Sequence, residues 1–120
     1  MNAVFAALSQ PTRRSILEML AGRGQLSASD ISRRFRVSAP AISQHLKILR
    51  EANLVRMHKR RQQRIYEINP EAVRDVEEWA SQMTALWNER FDRLESLLQQ
   101  DETQPPHPKG RKGKRHDRAK

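Results

Sequence analysis

Apolar residues follow helical spacing through the first half of this chain, alternate briefly, then return to helical spacing. Asn2–Leu8 reads as a short apolar helix. Pro11–Ala21 reads as a second, with proline suited to the first turn, Ile16, Leu17 and Leu20 facing a core, and Gly22 and Gly24 ending it. Ser27–Phe35 forms a third. Ser27 followed by Asp30 resembles a capping box, and Ile31 and Phe35 supply the apolar stripe. After the tight connection Arg36-Val37, Ser38 caps a fourth helix, in which Ile42, Leu46 and Leu49 recur at steps of four and three.

Beyond Asn53 the period changes. Leu54–Lys59 and Arg64–Ile68 read as two short strands around Arg60–Gln63, with Val55, Met57, Ile65, Tyr66 and Ile68 as β-formers. The turn lacks the Asn-Gly or Gly that tight hairpins favour. Asn69-Pro70-Glu71 combines a cap, a first-turn proline and an early acid, and starts a helix that runs to about Gln99. Residues 1–100 thus form one folded domain. Residues 101–120 hold Pro105, Pro106, Pro108 and GRKGKRHDRAK without apolar pattern, and are expected to be a disordered basic tail.

Charge sharpens this picture. The net charge is +9, and its distribution is uneven. Between Arg33 and Arg64 there are ten bases and one acid, Glu51, whereas Glu67–Glu102 holds ten acids and three bases. One part of the chain suits a polyanion and the other does not. The bases cluster around the fourth helix, whose outward face carries Pro40, Ser43, Gln44 and Lys47 and no acid. Two helices, a tight turn and a polar-faced second helix make a helix-turn-helix, and a basic hairpin directly after it makes a winged one. The fold class is therefore mainly α with a small β-hairpin wing.

The mechanism follows from groove dimensions. The major groove of double-stranded DNA admits one α-helix, whose N-terminal residues reach base edges. Ser38 opens that helix. Ser43 and Gln44 can donate and accept hydrogen bonds there, and Ala39 and Pro40 permit close approach. Lys47 and Arg50 suit phosphates. Arg56, Lys59, Arg60, Arg61 and Arg64 of the hairpin suit the backbone or a minor groove.

The last helix carries a second informative stripe. Val73, Val76, Ala80, Met83, Trp87, Phe91, Leu94 and Leu98 step by 3, 4, 3, 4, 4, 3, 4, widened by Trp79, Leu86 and Leu97. Packing within one chain absorbs part of this face. The remainder, with Val4 and Phe5 of the first helix, points to a two-fold interface formed by Val4, Phe5, Trp79, Met83, Leu86, Trp87, Phe91 and Leu94.

The sequence resembles the ArsR/SmtB family of winged-helix bacterial repressors. The carrying residues are Phe5-Ala6-Ala7-Leu8-Ser9-Gln10-Pro11-Thr12-Arg13-Arg14 with Ile16-Leu17 and Leu20, Ile42-Ser43-Gln44-His45-Leu46-Lys47-Ile48-Leu49, and Glu51-Ala52-Asn53-Leu54-Val55. The family's usual form of the last piece has Gly where this chain has Asn53, the next-best residue for a left-handed backbone position. The likeness covers residues 1 to about 98. It implies a homodimer, joined through its first and last helices, that represses transcription from an operator and releases it when an effector binds, a small molecule or a protein.

Many members of that family sense metals, and here the sequence departs from them. Their third helix often carries a Cys-x-Cys pair. This chain has no cysteine and shows Asp30-Ile31-Ser32-Arg33 instead. Their last helix often carries Asp and His, where this one has Asp75 and no His. His45, His58, His107 and His116 are scattered, without ligand spacing. No metal or other cofactor is expected, and His45, flanking a buried stripe, suits packing or a phosphate.

The motifs of catalysis are missing too: no Gly-rich phosphate loop, paired-acid site or nucleophile-base arrangement occurs. The longest apolar run, Ala3–Leu8, is six residues, too short to span a membrane, and the start lacks the bases of a signal peptide. A cytoplasmic, non-enzymatic regulator is expected. The competing reading is a winged helix used for protein or RNA contact; a polar-faced helix favours B-DNA, because the A-form major groove is too narrow to admit it.

Overall fold

A computed structural model describes residues 1–101. The element order is α1 (Asn2–Leu8), α2 (Pro11–Arg23), β1 (Leu26–Ser27), α3 (Ala28–Arg33), α4 (Ala39–Glu51), β2 (Val55–Arg60), β3 (Gln63–Ile68) and α5 (Pro70–Asp101). Met1–Ala80 forms one compact unit, and a second begins at Ser81. The expected basic tail lies, after Asp101, outside the described residues.

Local sequence accounts for the helix boundaries. Gln10 caps α2, its side-chain oxygen accepting from the Thr12 N–H at 2.8 Å, with Pro11 in the first turn. Gly22 does not end α2. The helix continues to Arg23 and stops at Gly24, which takes φ 91°. Ser27 caps α3 by accepting from the Asp30 N–H at 3.0 Å. The Asp30 carboxylate does not complete a capping box, because it pairs with Arg33 one turn on. α3 ends at Arg33, short of Phe35, which packs half-buried against the core.

The end of α4 shows what Asn53 does. It takes φ 62°. The Asn53 N–H donates to the Arg50 carbonyl at 2.9 Å and the Leu54 N–H to the Leu49 carbonyl at 3.0 Å. This is a Schellman stop, completed by the apolar pair Leu49 and Leu54, both buried. Leu54 therefore belongs to the helix stop, and β2 begins at Val55.

The sheet is antiparallel with order β1-β3-β2. β1, absent from the sequence expectation, pairs Leu26 with Tyr66 and Ser27 with Ile65. The hairpin register runs from Val55↔Ile68 to Arg60↔Gln63, leaving Arg61-Gln62 as a two-residue turn. Arg61 occupies the positive-φ position, φ 61°, that glycine or asparagine usually fills.

The core draws on every element up to the start of α5. Ile16 and Leu20 of α2, Ile31 of α3, Ile42, Leu46 and Leu49 of α4, Val55 and Tyr66 of the hairpin and Ala72 of α5 are buried together. Phe5 and Trp79 meet edge to face, ring centres 5.1 Å apart. Two arginines finish α1. Its last carbonyls lack partners within the helix. Arg13 Nε donates to the Ala7 carbonyl at 2.8 Å, and Arg14 Nη1 to the Leu8 carbonyl at 2.7 Å.

The stripe of α5 is far less absorbed by the chain than expected. Ala72 is buried and Val76 half-buried. Trp79, Trp87 and Phe91 remain 43%, 63% and 48% exposed, and Val73, Met83, Leu86, Leu94, Leu97 and Leu98 are exposed as well.

Candidate nucleic-acid interface

The candidate interface is built on α4. Ser38 opens the helix, and its hydroxyl accepts from the Ala41 N–H at 3.2 Å. That oxygen is therefore occupied as a cap. Ile42, Leu46 and Leu49 are each no more than 1% exposed. Burial of three such side chains contributes on the order of 1.5–3 kcal/mol apiece. It also fixes the rotation of the helix. With the apolar stripe held inward, Ala39, Pro40, Ser43, Gln44, Lys47 and Arg50 all face solvent or its margin.

The wing bases divide by register. In an antiparallel pair, residues directly opposite share a face and successive residues alternate. Lys59↔Arg64 falls on the face of Met57↔Tyr66, the side packed on the core. Arg56, His58 and Arg60 fall on the other face, and Arg61 sits at the tip. A groove of about 660 Å3 lies where α4 meets the sheet, and Ser43, Gln44, Lys47, Arg50 and Arg64 all line it. The structure thus joins the polar face of α4 to β3.

Arg56 is placed elsewhere. It donates to the Asn69 side-chain oxygen at 2.9 Å, and the Asn69 amide donates to the Asn53 carbonyl at 2.9 Å. Arg56 thus ties the root of the wing to the end of α4 and the start of α5. Of the expected DNA-facing residues, Ser38 and Arg56 have structural partners, whereas the others project from the surface.

His45 has a partner that sequence reasoning does not find. Its Nδ1 lies 3.1 Å from Arg13 Nη1, across 32 positions of sequence. Arginine can only donate, so Nδ1 accepts and the ring proton sits on Nε2. Burial, and then the Arg13 charge, hold the His45 pKa below its ordinary value of 6.5. Arg13 stands in the sequence within a recognisable motif, but nothing local in that motif points to a histidine on another helix.

Among the described residues, no group of three or more His, Cys, Asp or Glu side chains is placed to hold a metal. No helix among them is long and apolar enough to cross a membrane.

Comparison with known proteins agrees with this geometry. Residues 8–58 match the helix-turn-helix domain family. The transcriptional repressor SdpR of Bacillus subtilis (strain 168) is 43% identical over 79 residues, spanning 66% of this chain and 87% of that protein. The arsenical resistance operon repressor of Staphylococcus xylosus is 34% identical over 71 residues, 59% of this chain and 67% of that one. Among solved structures, the ArsR-like transcriptional regulator from Rhodococcus sp. RHA1 superposes with a TM-score of 0.70 at 32% identity, over 80% of this chain and 90% of that one. The winged hairpin, the polar-faced second helix and these relatives together make the chain a DNA-binding regulator, a member of the ArsR/SmtB family of winged helix-turn-helix proteins.

Proposed function

We propose that the protein is a homodimeric repressor that reads an inverted-repeat operator with α4 and steadies itself on the backbone with the wing. The observation that carries this reading is the groove that Ser43, Gln44, Lys47 and Arg50 of α4 share with Arg64 of β3. Ser43 and Gln44 offer both donors and acceptors, as base edges require, while Lys47, Arg50 and Arg64 offer donors and positive charge but no acceptor, which suits phosphates. Lys59, Arg60 and Arg61 extend that charge along the wing. Ala39 and Pro40 bring no long side chain between the helix start and the bases.

The exposed stripe of α5 supports the dimer; of the α1 residues expected beside it, Phe5 is exposed, whereas Val4 is half-buried against the core. Left in water the stripe would form an apolar patch on the order of several hundred Å2, the size that marks an interaction surface. A two-fold pairing would place two copies of α4 about one helical turn apart, roughly 34–36 Å, and so demands an inverted repeat. Repression accords with the names of SdpR and the arsenical operon repressor. An effector for this chain, small molecule or protein, would act without the cysteine ligands that metal sensors use. Zinc, cadmium and arsenite are therefore expected to release no DNA at stoichiometric levels, and stoichiometric release by any of them would reveal a missed site.

The test is selection from a random-sequence duplex pool, followed by titration against the same sequence as duplex RNA. Enrichment of an inverted repeat, bound at least tenfold more tightly as DNA, supports the reading. Equal affinity for both duplexes would overturn it.

A further inference from the structure

A reading helix must be held at one angle. The buried stripe sets which face of α4 turns inward. A hydrogen bond, which has direction where the hydrophobic effect has none, refines that angle. On α4, His45 adjoins Gln44 and supplies a directional anchor. Its partner Arg13 reaches three acceptors: His45 Nδ1 at 3.1 Å, the Ala7 carbonyl at 2.8 Å and the Ala6 carbonyl at 3.4 Å. Two of these are carbonyls at the end of α1. The third acceptor belongs to α4. Because the guanidinium is planar and rigid, a fork fixed at two points by α1 also fixes where its third bond points.

We propose that Arg13 is a positioning residue for DNA reading, fastening α4 through His45 to the C-terminal end of α1. This rests on the DNA reading above and adds to it a mechanical dependence. Gln44 faces the bases only while α1 keeps its place. α1 also carries Val4 and Phe5, and Phe5 packs on Trp79. One side chain thus joins the helix proposed for partner contact to the helix proposed for base contact. A displacement of α1 reaches α4 within two hydrogen bonds, beside the core contact that α1 makes through Ala7.

The experiment uses the duplex enriched by the wild type from random DNA, with a scrambled duplex as control. The proteins are Arg13→Gln, His45→Phe, the double variant and His45→Asn, compared at a temperature where thermal scans show each folded. Asparagine's Oδ1 stands close to where Nδ1 stood and can accept the same bond. Arg13→Gln and His45→Phe should each reduce the preference for the enriched duplex about tenfold, the effect of losing the bond between the two helices. Arg13→Gln also gives up its bonds to the α1 carbonyls, which do not touch α4. The double variant should lose no more than either single one, since both cut the same link. His45→Asn should keep the wild-type preference, and affinity for scrambled DNA should hold throughout. A loss with His45→Asn equal to that with His45→Phe, or losses that multiply in the double variant, would overturn the proposal. Failure of the wild type to enrich any duplex sinks the DNA reading itself. The link is then judged in the free protein by 15N NMR of His45: an unprotonated Nδ1 that shifts in Arg13→Gln supports it, and a protonated Nδ1 overturns it.

Discussion

The segment Arg33–Arg64 and the helix α5 are both left with unfinished surfaces, but of opposite kinds. The first carries its excess as charge and hydrogen-bonding groups above a buried stripe. The second carries acids, and an apolar stripe that stays exposed. Water satisfies the first surface at little cost, so that surface can wait for DNA. Water does not satisfy the second, which is therefore expected to be covered permanently. A polar surface is suited to reversible recognition and an apolar one to assembly. The proposed dimer would need both, since two weak half-site contacts become tight only when joined.

The sharpest break of that comparison is a charge in the apolar stripe. Trp87→Glu with Phe91→Glu should give a monomer by light scattering at micromolar concentration. Thermal unfolding of the compact unit should be unchanged. Losing the second half-site removes an intramolecular advantage of about 10²–10⁴-fold, so operator affinity should fall by that order. A dimer that survives both substitutions would move the assembly surface elsewhere.

Within the reading surface, the two chemistries should separate. Ser43→Ala and Gln44→Ala should each cost about 1–3 kcal/mol on the operator and almost nothing on scrambled DNA. Arg64→Ala and Arg61→Ala should weaken both duplexes alike and flatten the salt slope by about 0.9 for each phosphate no longer neutralised. A phosphate looks the same at every sequence, whereas an amide meets different partners on each base pair. Arg56→Ala should change DNA binding least among the wing bases, because its guanidinium is engaged with Asn69. Salt titrations of all five variants on both duplexes check the division. Identical behaviour of Gln44→Ala and Arg64→Ala would place base reading on another element.

What can be read in the sequence is whatever repeats locally. The stripe Ile42, Leu46, Leu49 and the clustering of bases need no tertiary information, and the winged helix-turn-helix follows from them. β1 is invisible because two residues cannot display a period. Arg61 at positive φ is invisible because register, set by the pairs from Val55↔Ile68 onward, forces the turn on a residue that does not favour it. The Arg13–His45 bond joins side chains 32 positions apart, and nothing in the sequence around either one points to the other. The Asp30 carboxylate is a different case: its competitor Arg33 lies one turn on, so the capping reading and the ion pair are both local and only the structure chooses between them. Asn53 is legible through its αL tolerance, and the structure adds the reason it must be tolerant.

That reason sets a smaller effect. Asn53→Ala places a Cβ-bearing residue with no αL preference at φ 62° and should cost about 1 kcal/mol, or roughly 4–8 °C in Tm. Asn53→Gly should be neutral or slightly stabilising. Asn53→Ala should thus shift the unfolding of the compact unit, and neither variant should change the mass in solution, the mirror image of Trp87→Glu. Calorimetry beside light scattering checks this, and a change of mass with Asn53→Ala would blur the distinction between the two regions.

The smallest effect is a dependence on pH that belongs to the reading region alone. Burial and the Arg13 charge keep the folded-state pKa of His45 below 6.5. As pH falls past 6.5, the unfolded chain therefore takes up the proton before the folded one does. Proton uptake by the unfolded state lowers folding stability. The contribution from His45 is complete above about 6.5, is lost as pH falls through the folded value, and does not change further below it. Protonation also removes the Nδ1 lone pair that Arg13 needs and sets two cations side by side, so α4 should loosen from α1 in the same window. His45→Asn keeps an acceptor and cannot be protonated there. In denaturant titrations between pH 7.5 and pH 5, wild type should therefore lose stability that His45→Asn retains, over and above whatever the carboxylates impose on both. Parallel curves for the two proteins would show that His45 is as free to titrate in the folded state as in the unfolded one, and that its bond to Arg13 holds nothing in place.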